Sequence, residues 1–338
     1  MNVALVKLSS LGDVVHALPV AAALHARLPR ARVAWIVERR EAAILRGNPA
    51  VDEVIPVDTR GWRDCRTLVA AAAVAGQLAE LRRHLRGARF DVAIDLQGLL
   101  KSGVLTAATR APLRIGYAAA HCRERMNALF TNRHVSPPAS ARHVVERYLA
   151  LLEPLGVRAL SVEFPLPMDA LAEARIDDFL TRSGLKPRSR LIVLNPGAGR
   201  ADKRWPVERF RALTERLTLE AGAAVVVVWG PDEVALAETI VDSSRAGRAL
   251  LAPPTSVEEL VSLLRRASVV VGGDTGPLHL AAALAVPCVG LYGPTLVERT
   301  GPYGQTERAL VGPDGTLASL GVDAVFHAVA DALDGRAR

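Results

Sequence analysis

The chain has 338 residues, of which 50% are hydrophobic and 23% are charged, a globular composition long enough for two domains. Its three cysteines, Cys65, Cys122 and Cys288, lie far apart and lack CxxC spacing, which argues against a disulfide framework or a zinc site. No apolar run reaches the length of a membrane span and no charged leader precedes the first predicted strand, so we expect a cytoplasmic location.

Charge is distributed unevenly along the chain. Residues 1–160 hold 23 Lys and Arg against 13 Asp and Glu, whereas residues 161–338 hold 19 against 22. A basic first half indicates an anionic partner. Nucleic acid is a poor candidate, because only 4% of the residues are aromatic and no nucleic-acid-binding motif is present. An anionic lipid surface or a carboxylated, phosphorylated substrate fits the same charge.

Short β-branched runs alternate with longer helical stretches, a pattern typical of parallel βαβ units. In the first half these runs predict strands at Val3–Leu8, Arg32–Val37, Glu53–Pro56, Asp91–Asp95 and Arg114–Gly116. Helical periodicity predicts helices at Val14–Leu28 and Arg66–Leu85. The proline-rich segment Glu153–Asp169 is the predicted linker.

The second half repeats the alternation. Strands are predicted at Arg190–Leu194, Ala223–Trp229, Ala249–Leu251, Ser268–Gly272 and Cys288–Tyr292. Helices are predicted near Val207–Glu220, Glu233–Val241, Val257–Arg265, Leu278–Ala285 and Val322–Leu333. We therefore expect an α/β protein with two Rossmann-like domains, 1–160 and 170–318, facing each other across a cleft. The last helix, within 319–338, is expected to cross back towards the first domain.

The segment Ser9–His16 follows the first strand and opens the first helix, at the edge of a parallel sheet where ligands bind. Gly12 allows a tight turn, and Asp13 falls at the helix N-terminus, which favours the carboxylate form. Asp13 could serve as a base towards a sugar hydroxyl. It could equally be an ordinary helix cap, and spacing alone leaves both interpretations open.

The segment Gly272–His279 repeats this arrangement after the apolar strand at 268–272. Its glycines leave backbone amides bare, and the helix start adds partial positive charge, which together suit a diphosphate. A routine strand-to-helix turn would also fit, but it needs fewer glycines.

Two further segments follow predicted strands. Asn195–Pro206 carries Lys203, one of only four lysines in the chain. Glu233 follows another strand and could bind a ribose. Lys203 could equally be a solvated charge, and Glu233 an ordinary first-turn helix residue.

The first half also holds scattered basic residues suited to carboxylate and phosphate groups, although any single one could be merely solvated. They are Arg60, Arg63, Lys101, Arg123, Arg125 and Arg147, with Trp62 and His143 nearby. No Asp-x-Asp pair, phosphate-loop motif, HExxH or GxSxG is present. We therefore expect no metal ligands and no cofactor, with a diphosphate held by amides and Lys203.

Five segments resemble the lipopolysaccharide heptosyltransferases, in order and nearly from end to end. They are Ser9–His16, Asp95–Ser102, His143–Arg147, Lys203–Pro206 and Gly273–His279. The first-domain segments, with Arg60–Arg63, look most like heptosyltransferase I, which adds the first heptose to Kdo on lipid A. The resemblance implies a GT-B fold, an inverting transfer, no obligatory metal and Asp13 as catalytic base.

The resemblance also implies a donor, ADP-heptose, and an acceptor, Kdo-lipid A at the anionic inner-membrane surface, which would make the enzyme peripheral on the cytoplasmic face. Donor contacts are expected from Lys203, Glu233, Asp274, Thr275, Gly276 and His279. Acceptor contacts are expected from Ser10, Gly12, Arg60, Arg63, Lys101, Arg123 and Arg147.

One segment departs from the family pattern. Gly197-Ala198-Gly199 stands where members of the type I group often carry hydroxyl residues, which puts hydroxyl contacts to phosphate in doubt. A heptosyltransferase for a later core position therefore stays open. An epimerase of sugar nucleotides and a non-catalytic nucleotide-binding module are also compatible with the sequence.

Overall fold

The computed structural model describes residues 1–62, 67–185, 189–242 and 247–335. The chain divides into two units, Met1–Pro167 and Met168–Arg338, and the division falls within the segment predicted as the linker. Among the described residues, no helix combines the length and apolar character that crossing a lipid bilayer requires.

Unit 1 contains a six-stranded parallel sheet in the order β3-β2-β1-β4-β5-β6. The strands are β1 Asn2–Val6, β2 Arg32–Glu38, β3 Glu53–Val57, β4 Val92–Asp95, β5 Leu113–Tyr117 and β6 Arg133–Val135. The central strands β1 and β4 are almost wholly buried. Their apolar side chains point to both faces, as in parallel sheets covered by helices on both sides.

The helices of unit 1 are α1 Leu11–Arg27, α2 Leu68–Gly87, α3 Leu100–Ala108 and α4 Val144–Ala150. A 3-10 helix at Arg125–Phe130 packs against α3. Gly103 permits this close approach, because a Cβ atom at that position would lie 2.6 Å from the Phe130 ring.

Unit 2 contains a second six-stranded parallel sheet, in the order β12-β11-β10-β7-β8-β9. Its strands are β7 Leu191–Asn195, β8 Ala224–Val227, β9 Ala249–Leu251, β10 Val269–Gly273, β11 Cys288–Tyr292 and β12 Ala309–Val311. Its helices are α5 Ala170–Arg182, α6 Val207–Leu219, α7 Val234–Val241, α8 Val257–Arg266, α9 Gly276–Ala283, α10 Val297–Thr300 and α11 Val322–Leu333.

The last helix, α11, packs on α6 and on the second sheet, and its buried face joins the core of unit 2. Trp205 fixes the segment before α11, since its indole Nε1 donates to the carbonyl oxygen of Leu320 at 2.9 Å. The expectation that this helix returns to the first domain stays a prediction.

Both sheets have the strand order of Rossmann-type domains, with the order reversing between the first and fourth strands of each unit. The reversal opens a crevice at the carboxyl ends of β1 and β4 in unit 1, and of β7 and β10 in unit 2. The predicted α/β class is confirmed. The strands β6 and β12 were not predicted.

Candidate active site

Asp13 occupies the third position of α1, just beyond the carboxyl end of β1. Its Oδ2 accepts hydrogen bonds from the backbone N–H of Ser10 at 3.0 Å and from the Ser10 hydroxyl at 3.1 Å. Its Oδ1 accepts from the Tyr148 hydroxyl at 3.4 Å and lies 3.5 Å from the Lys7 ammonium. With 32% of the side chain exposed, Asp13 both caps the helix and remains accessible.

The Lys7 ammonium is buried beneath this carboxylate, 4.9 Å from the centroid of the Tyr148 ring. Burial lowers the pKa of Lys7, and the charge of Asp13 opposes that effect. Burial would raise the pKa of Asp13, but the charge of Lys7 and the bonds from Ser10 outweigh it, so the pKa of Asp13 lies below its ordinary value. The site therefore holds an ionised carboxylate at neutral pH.

Burial and the Asp13 charge raise the pKa of Tyr148 well above its usual range, so its hydroxyl stays a proton donor to Asp13. Neither Lys7 nor Tyr148 was predicted as a site residue. Lys7 did carry a signal, because it is one of only four lysines in the chain and it directly follows an apolar strand. Tyr148 carried none, because it lies 135 residues away from Asp13 in sequence.

The turn before Asp13 is held from the end of β4. Gln97 accepts from the Leu8 N–H at 2.9 Å and donates through Nε2 to the Ser9 carbonyl at 3.0 Å. The fully buried Asp95 accepts from the Gln97 N–H at 2.8 Å and from Asn127 Nδ2 at 2.7 Å. Burial raises the pKa of Asp95, and these donors oppose that effect. The turn is thus fixed by buried hydrogen bonds that do not involve a ligand.

The predicted acceptor residues that the structure describes fall into three groups. In the first group, Ser10 and Gly12 adjoin Asp13 on the same turn, and the charge of Arg123 acts on both Asp13 and Lys7. The second group is Arg147 alone, which lies half-buried one residue before Tyr148 on α4 and makes no ion pair with any residue that the structure describes.

The third group surrounds a buried glutamate pair. The Lys101 ammonium lies 3.6 Å from Glu38 Oε1 and 3.4 Å from the Thr59 hydroxyl. Burial raises the pKa of Glu41, and the charges of Arg40 and Arg60 oppose that effect. Lys101 therefore pairs with the acidic cluster of Glu38 and Glu41, and the charge of Arg60 acts on the same cluster. Arg63 lies outside the described residues.

In unit 2, Asp274 lies just after β10 and is held from two sides. The Lys203 ammonium donates to its Oδ2 at 2.6 Å, and His279 Nε2 lies 3.1 Å from its Oδ1. Burial would raise the pKa of Asp274, but the bonds and charges of His279 and Lys203 outweigh it and hold the pKa below its ordinary value. The three predicted residues therefore form one cluster.

Thr275 and Gly276 form the start of α9, with Thr275 as the N-cap. Asn195, at the end of β7, donates to the Thr275 hydroxyl at 2.9 Å, and that hydroxyl donates to the Gly273 carbonyl at 3.1 Å. These bonds tie the start of α9 to the carboxyl ends of β7 and β10. Helix N-termini of this kind bind phosphate groups.

Glu233 follows β8 and turns towards the loop after β7. Its carboxylate accepts from the Gly230 N–H at 3.1 Å and from Arg204 at 3.3 Å. A Cβ atom at position 197 would overlap this carboxylate, so only glycine at that position allows the Glu233 side chain to lie where it does. Arg204 also donates to the Ala198 carbonyl at 2.9 Å. The glycine-rich departure from the family pattern therefore has a local structural reason.

Replacing Asp274 with Asn should lower the free energy of unfolding by about 1–3 kcal/mol at neutral pH, because Lys203 and His279 lose their carboxylate. The folded pKa of Asp274 is depressed, so its stabilisation is present above an unfolded pKa of about 3.9 and is lost as pH falls through the folded pKa. Wild type and variant should therefore converge on acidification. Denaturant titrations at a series of pH values measure this difference.

The matched control for that measurement is Asp202→Asn, which breaks the exposed ion pair with Arg200. It should change stability by less than about 0.5 kcal/mol. A constant gap between wild type and Asp274→Asn across the acidic range would contradict the electrostatic role of Asp274.

Comparisons with known proteins identify the family. The model of glycosyltransferase family 9 (heptosyltransferase) matches residues 78–325. Lipopolysaccharide heptosyltransferase 1 of Salmonella typhimurium is 33% identical over 329 residues, covering 96% of this chain and 99% of the relative. Lipopolysaccharide heptosyltransferase 2 of the same organism is 27% identical over 319 residues, covering 92% and 88%.

Among solved structures, E. coli heptosyltransferase WaaC with ADP-2-deoxy-2-fluoro heptose matches with a TM-score of 0.81 and 30% identity, covering 98% of this chain and 99% of that one. The match supports the predicted GT-B fold and the predicted resemblance, both of which are confirmed. The chain belongs to glycosyltransferase family 9, the heptosyltransferases.

Proposed function

We propose that this chain is an inverting heptosyltransferase of type I, moving L-glycero-D-manno-heptose from ADP-heptose to Kdo of lipid A in the lipopolysaccharide inner core. Similarity supports type I over type II, at 33% against 27% identity to the two Salmonella enzymes. The donor is supported by the similar E. coli WaaC, whose structure was solved with ADP-2-deoxy-2-fluoro heptose. Membership of a glycosyltransferase family does not favour the epimerase or the non-catalytic module.

The observation that carries the catalytic assignment is the ionised, accessible Asp13 above a buried lysine. Asp13 takes the proton of a Kdo hydroxyl while that oxygen bonds to the anomeric carbon of the heptose. The bond from that carbon to the ADP oxygen breaks on the opposite face, and the electron pair leaves with ADP. General-base assistance of this kind contributes typically about 10²–10⁴-fold to the rate.

The departing diphosphate needs positive charge, and unit 2 supplies it at the crevice edge. Lys203 is held by Asp274, which His279 contacts in turn, and it donates to the phosphate oxygens together with the first amides of α9. Glu233 accepts from the ribose hydroxyls. The sequence lacks the Asp-x-Asp pair that clamps a metal on sugar nucleotides, so we propose transfer without a metal cofactor.

The acceptor is anionic, and unit 1 carries the basic excess of the chain. Arg123, whose charge acts on Asp13, would meet a Kdo carboxylate, and Arg60 and Lys101 would meet further anionic groups of Kdo-lipid A. The same excess would hold the enzyme at an anionic membrane surface, peripheral on its cytoplasmic face.

Asp13→Asn should keep the fold but lower turnover by about 10²–10⁴-fold, because the amide cannot accept the proton. The assay combines purified protein, ADP-heptose and Kdo-lipid A, and mass spectrometry measures the product. Glu259→Gln is the matched control, because Glu259 caps α8 beneath Ser256 as Asp13 caps α1 beneath Ser10. Glu259→Gln should lose a capping energy of about 1 kcal/mol. Asp13→Asn should lose more stability, because it also leaves the Lys7 ammonium buried without its anion, and turnover should fall only in this variant.

Near-normal turnover in Asp13→Asn would place the base elsewhere. Transfer to a later core acceptor, without transfer to Kdo-lipid A, would establish a heptosyltransferase of a later core position instead.

Lys7→Met should move the acid limb of the kcat/KM profile to higher pH. Lys7 lowers the pKa of Asp13, so its loss leaves the opposing effect of burial less compensated and raises that pKa. The free-enzyme limb in kcat/KM reports this group. An unchanged limb in a folded Lys7→Met protein would show that Lys7 does not set the ionisation of the base.

Lys203→Met should weaken ADP-heptose binding by about 10-fold or more, because a charge-assisted contact to the diphosphate is lost. Isothermal titration of the donor measures the effect. Arg200→Met is the control, since Arg200 lies exposed on the same loop and pairs with Asp202.

Transfer activity of the wild-type protein should survive EDTA. Complete loss with EDTA, restored by a divalent ion, would refute the metal-free account.

A further inference from the structure

A group of large apolar side chains lies exposed on unit 1. Leu100 and Val104 on α3, with Met126 and Leu129 on the adjoining 3-10 helix, are between 38% and 77% exposed. They make up four of the seven large apolar side chains that are exposed among the described residues of unit 1. We call these four residues the α3 face.

The two elements of the α3 face are packed side by side. Phe130 meets Gly103, and Asn127 Nδ2 donates to the Leu99 carbonyl at 2.7 Å. Met126 and Leu129 are three residues apart, one turn of a 3-10 helix, and so share one side of it. Leu100 and Val104 are four residues apart, neighbours on an α-helix surface. The packing therefore uses Asn127 and Phe130 and leaves two apolar pairs towards solvent.

The segment that carries this face is strongly basic. Residues 99–134 contain six cations and one acidic residue, Glu124; the cations are Lys101, Arg110, Arg114, Arg123, Arg125 and Arg133. A second copy of the chain is a poor occupant, because docking two such faces brings like charges together. Apolar side chains with basic neighbours match the boundary between headgroups and acyl chains in an anionic bilayer.

We infer that the α3 face docks unit 1 on an anionic phospholipid bilayer. The four apolar side chains enter the headgroup–acyl boundary, and the neighbouring arginines contact lipid phosphates. The inference deepens the proposed function and rests on its lipid-borne acceptor. Arg123, whose charge acts on Asp13, lies two residues before the 3-10 helix, so docking there would bring the base close to lipid headgroups.

Co-sedimentation of the full chain with vesicles tests the face. The vesicles contain phosphatidylcholine and phosphatidylglycerol in equal parts, without acceptor or donor. Met126→Ser/Leu129→Ser should reduce partitioning by about 10- to 100-fold, because two apolar side chains no longer leave water. Leu160→Ser/Met168→Ser is the matched control, since both residues are exposed outside the face, and it should bind as wild type.

Partitioning of Met126→Ser/Leu129→Ser equal to wild type, or an equal loss in the control, would overturn the inference. So would a wild-type dimer, seen by analytical ultracentrifugation, that this variant alone dissociates. Transfer to a Kdo acceptor without acyl chains is measured separately and should be unchanged in Met126→Ser/Leu129→Ser. If the wild-type protein binds vesicles through the α3 face but transfers no heptose to the Kdo acceptor, the proposed function is contradicted and the docking face is still supported.

Discussion

The contact between Lys7 and Asp13 is the interaction on which unit 1 depends at its ligand edge. A buried ammonium is costly unless an anion lies beside it, and Asp13 is that anion. The pairing ties the end of β1 to the start of α1, and Tyr148 and Gln97 close around it. The carboxylate is thereby ionised and fixed while one side remains open to a substrate.

Unit 2 uses the same device with the charges exchanged. In unit 1 the cation is the more buried partner and the carboxylate faces outward, whereas Asp274 is more buried than its partner Lys203. Each unit therefore presents a charge that suits its expected ligand. Unit 1 presents a carboxylate for a hydroxyl that must lose its proton, and unit 2 presents an ammonium for a negatively charged diphosphate. One Rossmann-type topology thus exposes a carboxylate in unit 1 and an ammonium in unit 2, because the buried partner differs.

Much of this arrangement follows from local sequence. Ten of the twelve strands that the structure describes were predicted from apolar β-branched runs. Asp13 was singled out by its place after the first of these runs, and Asp274 by the resemblance to the heptosyltransferases. The last strand of each unit, β6 and β12, was not predicted. Tyr148 could not be predicted, because its contact with Asp13 depends on α4 packing against α1, which is a tertiary contact. The charge partner of Asp13 was missed because a lysine after a strand ordinarily points to solvent.

The bond from Trp205 to the Leu320 carbonyl has a consequence for how the protein is made. Unit 1 is one continuous stretch and can fold while the ribosome is still translating the second half. The loop that bears Lys203 is different, because the neighbouring Trp205 finds its partner only after residue 320 has been synthesised, and α11 follows later still. During synthesis, therefore, the nascent chain can organise the contacts of Asp13 in unit 1 long before it can complete unit 2.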